Sequence, residues 1–395
     1  MASFPELEGA RREFPILEQR NYLASHALGP MPRSALDDLA EYRETLLLRT
    51  AGIPAQLETI EQVRGDLGRL LNTQPDNVAL TASATAGLAQ IALALTPTGS
   101  RRRILLSAQN FPSTRFVWEA QARRGFELVS VERGLGVGEE RTPEAVAPLD
   151  ERVAALVVPW VAPYSGALMN LSTLAARCRE VGAILVVDAY QGLGIVPLDL
   201  SQAERSPHVV VGGNHKWLSS ASMGLAFMYV DPLLARSLEP PAPGWIGEAS
   251  FPAFSDQYRP AAGAKRFQQG TPAVEPMYGA MAGLRFVLRH GVDRLRRASL
   301  HLTSALYSAA ESSGLPVLTP RADHARGGTV TLDLSHLEVS AQQQLLRDLA
   351  TAAIDVDFRP GGGMRMSPHP CAAPNDCDAA VSTISQLLVG KYARI

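Results

Sequence analysis

A chain of 395 residues exceeds the roughly 250–300 at which single cores stop growing, so two lobes are expected. A hydrophobic fraction of 46%, a charged fraction of 19% and a formal net charge of -2 are ordinary for a globular protein. They give no electrostatic reason for nucleic acid or an anionic membrane as partner, and a small molecule fits better.

The opening "MASFPELEGARREF" lacks the apolar core of a secretory signal, and no apolar run approaches the roughly 18–20 residues that span a bilayer. The expectation is a protein neither exported nor embedded in a membrane. Residues 1–55 contain the turn-rich "NYLASHALGPMP" and are expected to form an arm or to join the smaller lobe. Next, "TASATAGLAQIALAL" sets Ser83, Ala84 and Thr85 before an apolar-periodic helix. Free N–H groups and the positive end of the helix dipole there make a cup for phosphate, although a plain helix cap explains the same residues.

"RRILLSAQ", "RVAALVVPW", "GAILVVDAY" and "HVVVGGN" are near-continuous apolar runs of strand length, as in strands covered on both faces of a parallel sheet. Between them "TPEAVAPL", with Thr142 as cap before Pro143, and "NLSTLAARCREVG", with Ser172 near its start and Gly182 past its end, read as helices. The pattern is α/β. "MGLAFMYV" adds a strand, and 275–313 is helical throughout. Beyond 315, "GGTVTLDLS" and "AIDVDFRPGGGMRMSPHP" read as strands, and "SAQQQLLRDLATAA" and "DAAVSTISQLLVGKYA" as helices. The expected division is a large α/β domain over 56–280 and a small α+β domain over 281–395.

Two strand ends carry chemistry. "GAILVVDAY" ends on Asp188 and then offers Gln191. A buried carboxylate stays ionised only opposite a cation or several donors, though a strand-end Asp also commonly caps a loop. After "HVVVGGN" come His215 and Lys216. An amine in a partly desolvated pocket has a lowered pKa and can attack a carbonyl to form a Schiff base; taken alone, Lys216 reads more readily as a surface lysine. A phosphate cup, a carboxylate for a protonated ring nitrogen and a lysine for an aldehyde together match the three handles of pyridoxal 5'-phosphate.

Other chemistries find less. Gly134, Gly136 and Gly138 in "ERGLGVGEE" lack the third glycine of a dinucleotide fingerprint. Eight histidines show neither HExxH nor a Cys/His cluster. Cys178, Cys371 and Cys377 are an odd count without CxxC spacing, which favours a reducing compartment and hence a cytoplasmic location.

The ordered series "NYLASHALGPMP", "DAYQ", "HKWL", "GTPAVEP" and "FRPGGGMRMSPHP" resembles the class V aminotransferase family of fold-type-I pyridoxal phosphate enzymes, in its kynureninase-like and isopenicillin N epimerase-like branch. The resemblance implies an aspartate aminotransferase-like fold with a mostly parallel central sheet and a smaller α+β C-terminal domain. It implies that Lys216 carries the cofactor, Asp188 pairs with its pyridine nitrogen and Gln191 bonds its phenolic oxygen. Ala84, Thr85 and His215 would hold the phosphate, and Phe111 of "NFPST" would stack on the ring. Trp245 of "GWIG" and Thr271 of "GTP" would complete the phosphate site from a neighbouring subunit, giving a homodimer with shared active sites. Arg365 would clamp the carboxylate of an amino-acid substrate, with His26 nearby.

The resemblance is uneven. Kynureninases usually carry Tyr, Asp, His and Asn where this chain has His215, Thr114, Gln191 and His26. Cysteine desulfurases need a thiol on the loop before the carboxylate arginine, and "DVDFRPGGGMR" has none. The implied activity is an aminotransferase or Cβ-lyase/hydrolase with a kynureninase-like frame, with an amino-acid epimerase or a non-catalytic cofactor-binding module as alternatives.

Overall fold

Alternating side-chain direction along buried strands forces each apolar run to feed two cores, one on each face of a sheet. The computed structural model, which describes residues 4–48, 53–132, 149–220, 222–359 and 363–392, shows this division. The helix expected at Thr142 and the glycines of "ERGLGVGEE" lie outside the described residues.

A short strand β1 (Asn21–Tyr22) precedes the main sheet, which contains β2 (Val78–Thr81), β3 (Arg103–Ser107), β4 (Glu127–Val131), β5 (Val153–Pro159), β6 (Ile184–Asp188), β7 (Val209–Gly213) and β8 (Ala226–Val230). Their order is β2-β8-β7-β6-β5-β3-β4. The pairs along β7-β6-β5-β3-β4 are parallel, and β8 runs antiparallel to both its neighbours. Leu105, Leu156, Leu185 and Val210 enter the core on one face, while Ile104, Val157, Val186 and Val211 enter the core on the other.

The smaller lobe holds β9 (Val330–Leu332), β10 (Ile354–Asp355), β11 (Asp357–Arg359) and β12 (Gly363–Met366). β11, β12 and β9 form an antiparallel sheet, and β10 pairs in parallel with β1 of the N-terminal segment. The span expected to be helical is two helices, Glu275–His290 and Val292–Ser312, separated at Gly291 with φ of +76°. The first packs on helices Ala35–Leu48 and Ile53–Leu71, the second on Pro374–Leu387 and β9. The helix Leu171–Val181 is capped by Asn170, whose side chain accepts from the Thr173 N–H, and not by Ser172. An Asx side chain one position before the helix satisfies the free donor, whereas Ser172 already lies inside the first turn and donates to Asn170. Among the described residues, no helix is long and apolar enough to cross a membrane.

The small lobe has its own core, in which Leu306, Leu345 and Ile384 are fully buried. Leu306→Ala should lower unfolding stability by about 2–5 kcal/mol in urea titration. A loss below about 0.5 kcal/mol, the range of ordinary surface changes, would contradict the packing described.

Candidate active site

Because β2, β3, β5, β6 and β7 point the same way, the segments that follow them gather at one edge of the sheet, where open α/β folds bind ligands. A cavity of about 270 Å³ opens there, lined by residues that follow all five strands. Lys216, Asp188, Gln191, His215, Phe111, Ala84 and Thr85, seven positions expected from the sequence, all face it.

Lys216 follows the end of β7 by three residues, on a loop held from several sides. The Gly29 N–H donates to the His215 carbonyl at 2.7 Å, and a Cβ at Gly29 would collide with the Lys216 carbonyl. Gly283, on the helix Glu275–His290, likewise leaves no room for a side chain against Leu218 and Ser219. Ser219 sits at φ +52°, and its hydroxyl lies 3.0 Å from His369 Nε2. The sequence segments around Gly29 and His369 therefore meet at the lysine loop. Burial, against the pull of Asp188, lowers the Lys216 amine to about 8, with Arg365 and Arg359 adding to the lowering. Its Nζ is 4.8 Å from the Tyr190 ring centre and 5.8 Å from that of Phe111.

Asp188 closes β6 and is 9% exposed. Its Oδ2 accepts from the Thr114 hydroxyl and its Oδ1 from the Tyr190 N–H, both at 3.0 Å. Burial pushes this carboxyl up, while the Tyr190 N–H, Lys216 and Thr114 pull it down. Gln191 donates to the His26 carbonyl at 3.1 Å, and its buried Oε1 has no partner among the described residues. His215 Nδ1 lies 2.8 Å from the Tyr190 hydroxyl, and burial holds the imidazole near 4, hence neutral. Ser83 caps the helix Ala84–Ala94 through the Ala86 N–H, and Ser83, Ala84 and Thr85 line the cavity.

Arg365 lies in β12 beside the cavity. Its Nη1 donates at 2.6 Å to the carbonyl of Pro163, a lining residue. Its remaining fork is already engaged: Nε and Nη2 donate to the two oxygens of Asp357 at 2.7 and 2.6 Å. His26 Nε2 stands 3.0 Å from Asp357 Oδ1, with burial lowering the imidazole to about 4.

Trp245 and Thr271 do not reach this cavity within one chain. Trp245 is 39% exposed and stacks on Phe254 at 5.4 Å. Thr271 is exposed and lines a separate hollow beside Thr81 and Ala86. Three participants went unassigned in the sequence reading: Tyr190, Thr114 as the partner of Asp188, and Asp357. Tyr190 carried a signal, two residues after a strand-end Asp in "DAYQ"; Asp357 sat unremarked in "DVDFR".

The donor set suits pyridoxal phosphate on the structure's own terms. Among the described residues it offers a half-buried amine, a buried carboxylate with no directly bonded cation, an unpartnered Gln191 oxygen, and helix N–H groups beside Ser83 and Thr85. The family described as Aminotransferase class-V matches residues 21–360. An uncharacterized aminotransferase, YcbU of Bacillus subtilis (strain 168), is 29% identical over 290 residues, covering 73% of this chain and 75% of that protein. A kynureninase of Pseudomonas fluorescens is 27% identical over 354 residues, covering 86% and 82%. In fold, the chain is similar to an apo cysteine desulfurase from Thermococcus onnurineus NA1, with a TM-score of 0.83 at 19% identity over 99% of this chain and 100% of that one. With the cavity, its lysine and the match over most of its length, the chain belongs to the class-V aminotransferase family, a fold-type-I family of pyridoxal-phosphate-dependent enzymes.

Proposed function

We propose that this enzyme removes the Cα proton of an α-amino acid with Lys216 as base and carries out amino-group transfer. The observation that carries the reading is the pairing of Lys216 with Asp188 in one cavity; the other two lysines, Lys265 and Lys391, form ion pairs elsewhere with Glu61 and Asp348. Pyridoxal phosphate, when bound, supplies an aldehyde for amines and a ring that accepts the electron pair left at Cα. Asp188 would hold a proton on the ring nitrogen, and Thr114 and the Tyr190 N–H hold Asp188. Ser83, Ala84, Thr85 and His215 would hold the phosphate, Phe111 would cover the ring, and Gln191 would hydrogen-bond its phenolic oxygen. Lys216 takes the Cα proton at Nζ, helped by an amine already brought near neutral pH.

One amine within reach of the reacting carbon suits amino-group transfer, in which a single base moves the proton, better than epimerisation, which needs a base on each face. Cysteine desulfuration is disfavoured, because Cys178, Cys371 and Cys377 are all buried and burial pushes each thiol up. A second reading, cleavage or hydrolysis at Cβ, is favoured by the Tyr190–His215 pair, which adds a polar group beside Lys216. Trp245 and Thr271, outside the cavity and partly exposed, are assigned to a partner subunit's phosphate site, and three free thiols fit a cytoplasmic setting.

With amino donors and a keto-acid acceptor, the purified enzyme should yield the donor's keto acid, and Lys216→Ala should lower the rate by about 10²–10⁴-fold or more. Chromatography of products decides: racemised amino acid, or anthranilate from kynurenine, would contradict the transfer reading. Uptake of pyridoxal phosphate by cofactor-free protein should rise with pH through a midpoint near 8, since only the neutral amine attacks. Asp188→Asn removes an interaction that favours the charged amine, so the midpoint should move to lower pH. A midpoint near 10.5 in the unaltered protein would show an ordinary, solvated lysine.

A further inference from the structure

The arginine expected to receive a substrate carboxylate is already bound to an internal one. Arg365 and Arg359 both reach Asp357 Oδ2, with Nη2 atoms at 2.6 and 3.2 Å. His26 approaches the other oxygen at 3.0 Å and is neutral, its imidazole lowered by burial to about 4. Asp357 is held ionised: burial raises its carboxyl, but His26 and Arg365 outweigh that and keep it well below the usual range. All three charges lie within electrostatic reach of Lys216, with Arg365 and Arg359 lowering its amine and Asp357 raising it. Arg365 is 4% exposed and held by the Pro163 carbonyl, whereas the Arg359 side chain is about half exposed.

Two guanidiniums, one carboxylate and one neutral imidazole leave a single positive charge next to the cavity. A buried or half-buried site accepts an ion when the charges balance and resists a second like charge that has no partner. We propose that Asp357 is a specificity-determining residue that limits the substrate to one carboxylate, making this an enzyme for α-amino acids without a side-chain carboxylate. Asp357 acts through the arginines: it occupies the Nε–Nη2 fork of Arg365 and neutralises Arg359, which would otherwise read a side-chain carboxylate. The inference rests on the reading of the cavity as an amino-acid site.

The test compares L-norvaline with L-glutamate, which differ essentially by the terminal carboxylate, titrated into protein loaded with pyridoxal phosphate and followed by the cofactor's visible absorbance. The unaltered protein should bind norvaline more tightly. Asp357→Asn should shift the ratio of dissociation constants toward glutamate by about tenfold or more. Asp357→Asn combined with Arg359→Gln restores the charge count and should return the preference to norvaline. Pentanoate and glutarate, which lack the amine, should follow the same order by calorimetry.

An unaltered protein that prefers glutamate, or a ratio within threefold of the original in Asp357→Asn, would overturn the charge count. If Asp357→Asn fails to fold, Arg359→Gln alone decides: removing the net charge should weaken norvaline about tenfold, and unchanged binding would overturn the proposal. A cofactor band that neither amino acid alters would instead defeat the amino-acid reading itself.

Discussion

A primary amine and a buried carboxylate line one cavity, and much of the architecture serves to make that arrangement tolerable. Isolated charges in such a place are costly, so each group must be neutralised or held by donors. Lys216 responds by giving up its proton more readily, and Asp188 by taking bonds from Thr114 and the Tyr190 N–H. Both sit at strand ends, where the chain can leave the sheet's hydrogen-bond ladder without stranding backbone groups. The parallel run of β7, β6, β5 and β3 brings these ends together, and the reversed β8 carries the chain back beneath the lysine loop.

The loop itself is fixed by contacts distant in sequence. Gly29 presses from the N-terminal segment, Gly283 from a helix, and His369 from the segment after β12. Two of these three come from parts of the chain that belong to the smaller lobe or adjoin it, so the lobe positions the amine as well as supplying Arg365. The same N-terminal segment zips along the end of β12, where the Ser25 N–H donates to the Ser367 carbonyl, and that pairing brings His26 to Asp357.

The central strands were legible because burial on both faces demands uninterrupted apolar runs such as "AALVVP", and six of the cavity residues were legible because strand ends and a helix cap have local signatures, while Phe111 came from the family likeness. The antiparallel sense of β8 was not, since an apolar strand reads alike in either direction. The division at Gly291 and the cap at Asn170 turned on single residues in helical text. Asp357 was missed for a different reason. Its partners are His26, more than three hundred positions away, and Arg365 across a hairpin, and no periodicity marks such a meeting. Trp245 and Thr271 were reached through family likeness alone, and within one chain they stand apart from the cavity.

Covalent capture at position 216 tests the account most directly. The chain contains three lysines, at 216, 265 and 391, so the attachment point can be mapped without ambiguity. Protein incubated with pyridoxal phosphate, reduced with borohydride and digested should show the added mass by peptide mass spectrometry on the fragment bearing Lys216 and on no other. A reduced adduct on Lys265 or Lys391, or none at saturating cofactor, would contradict the central claim that this strand-end amine and Asp188 together make the cofactor site.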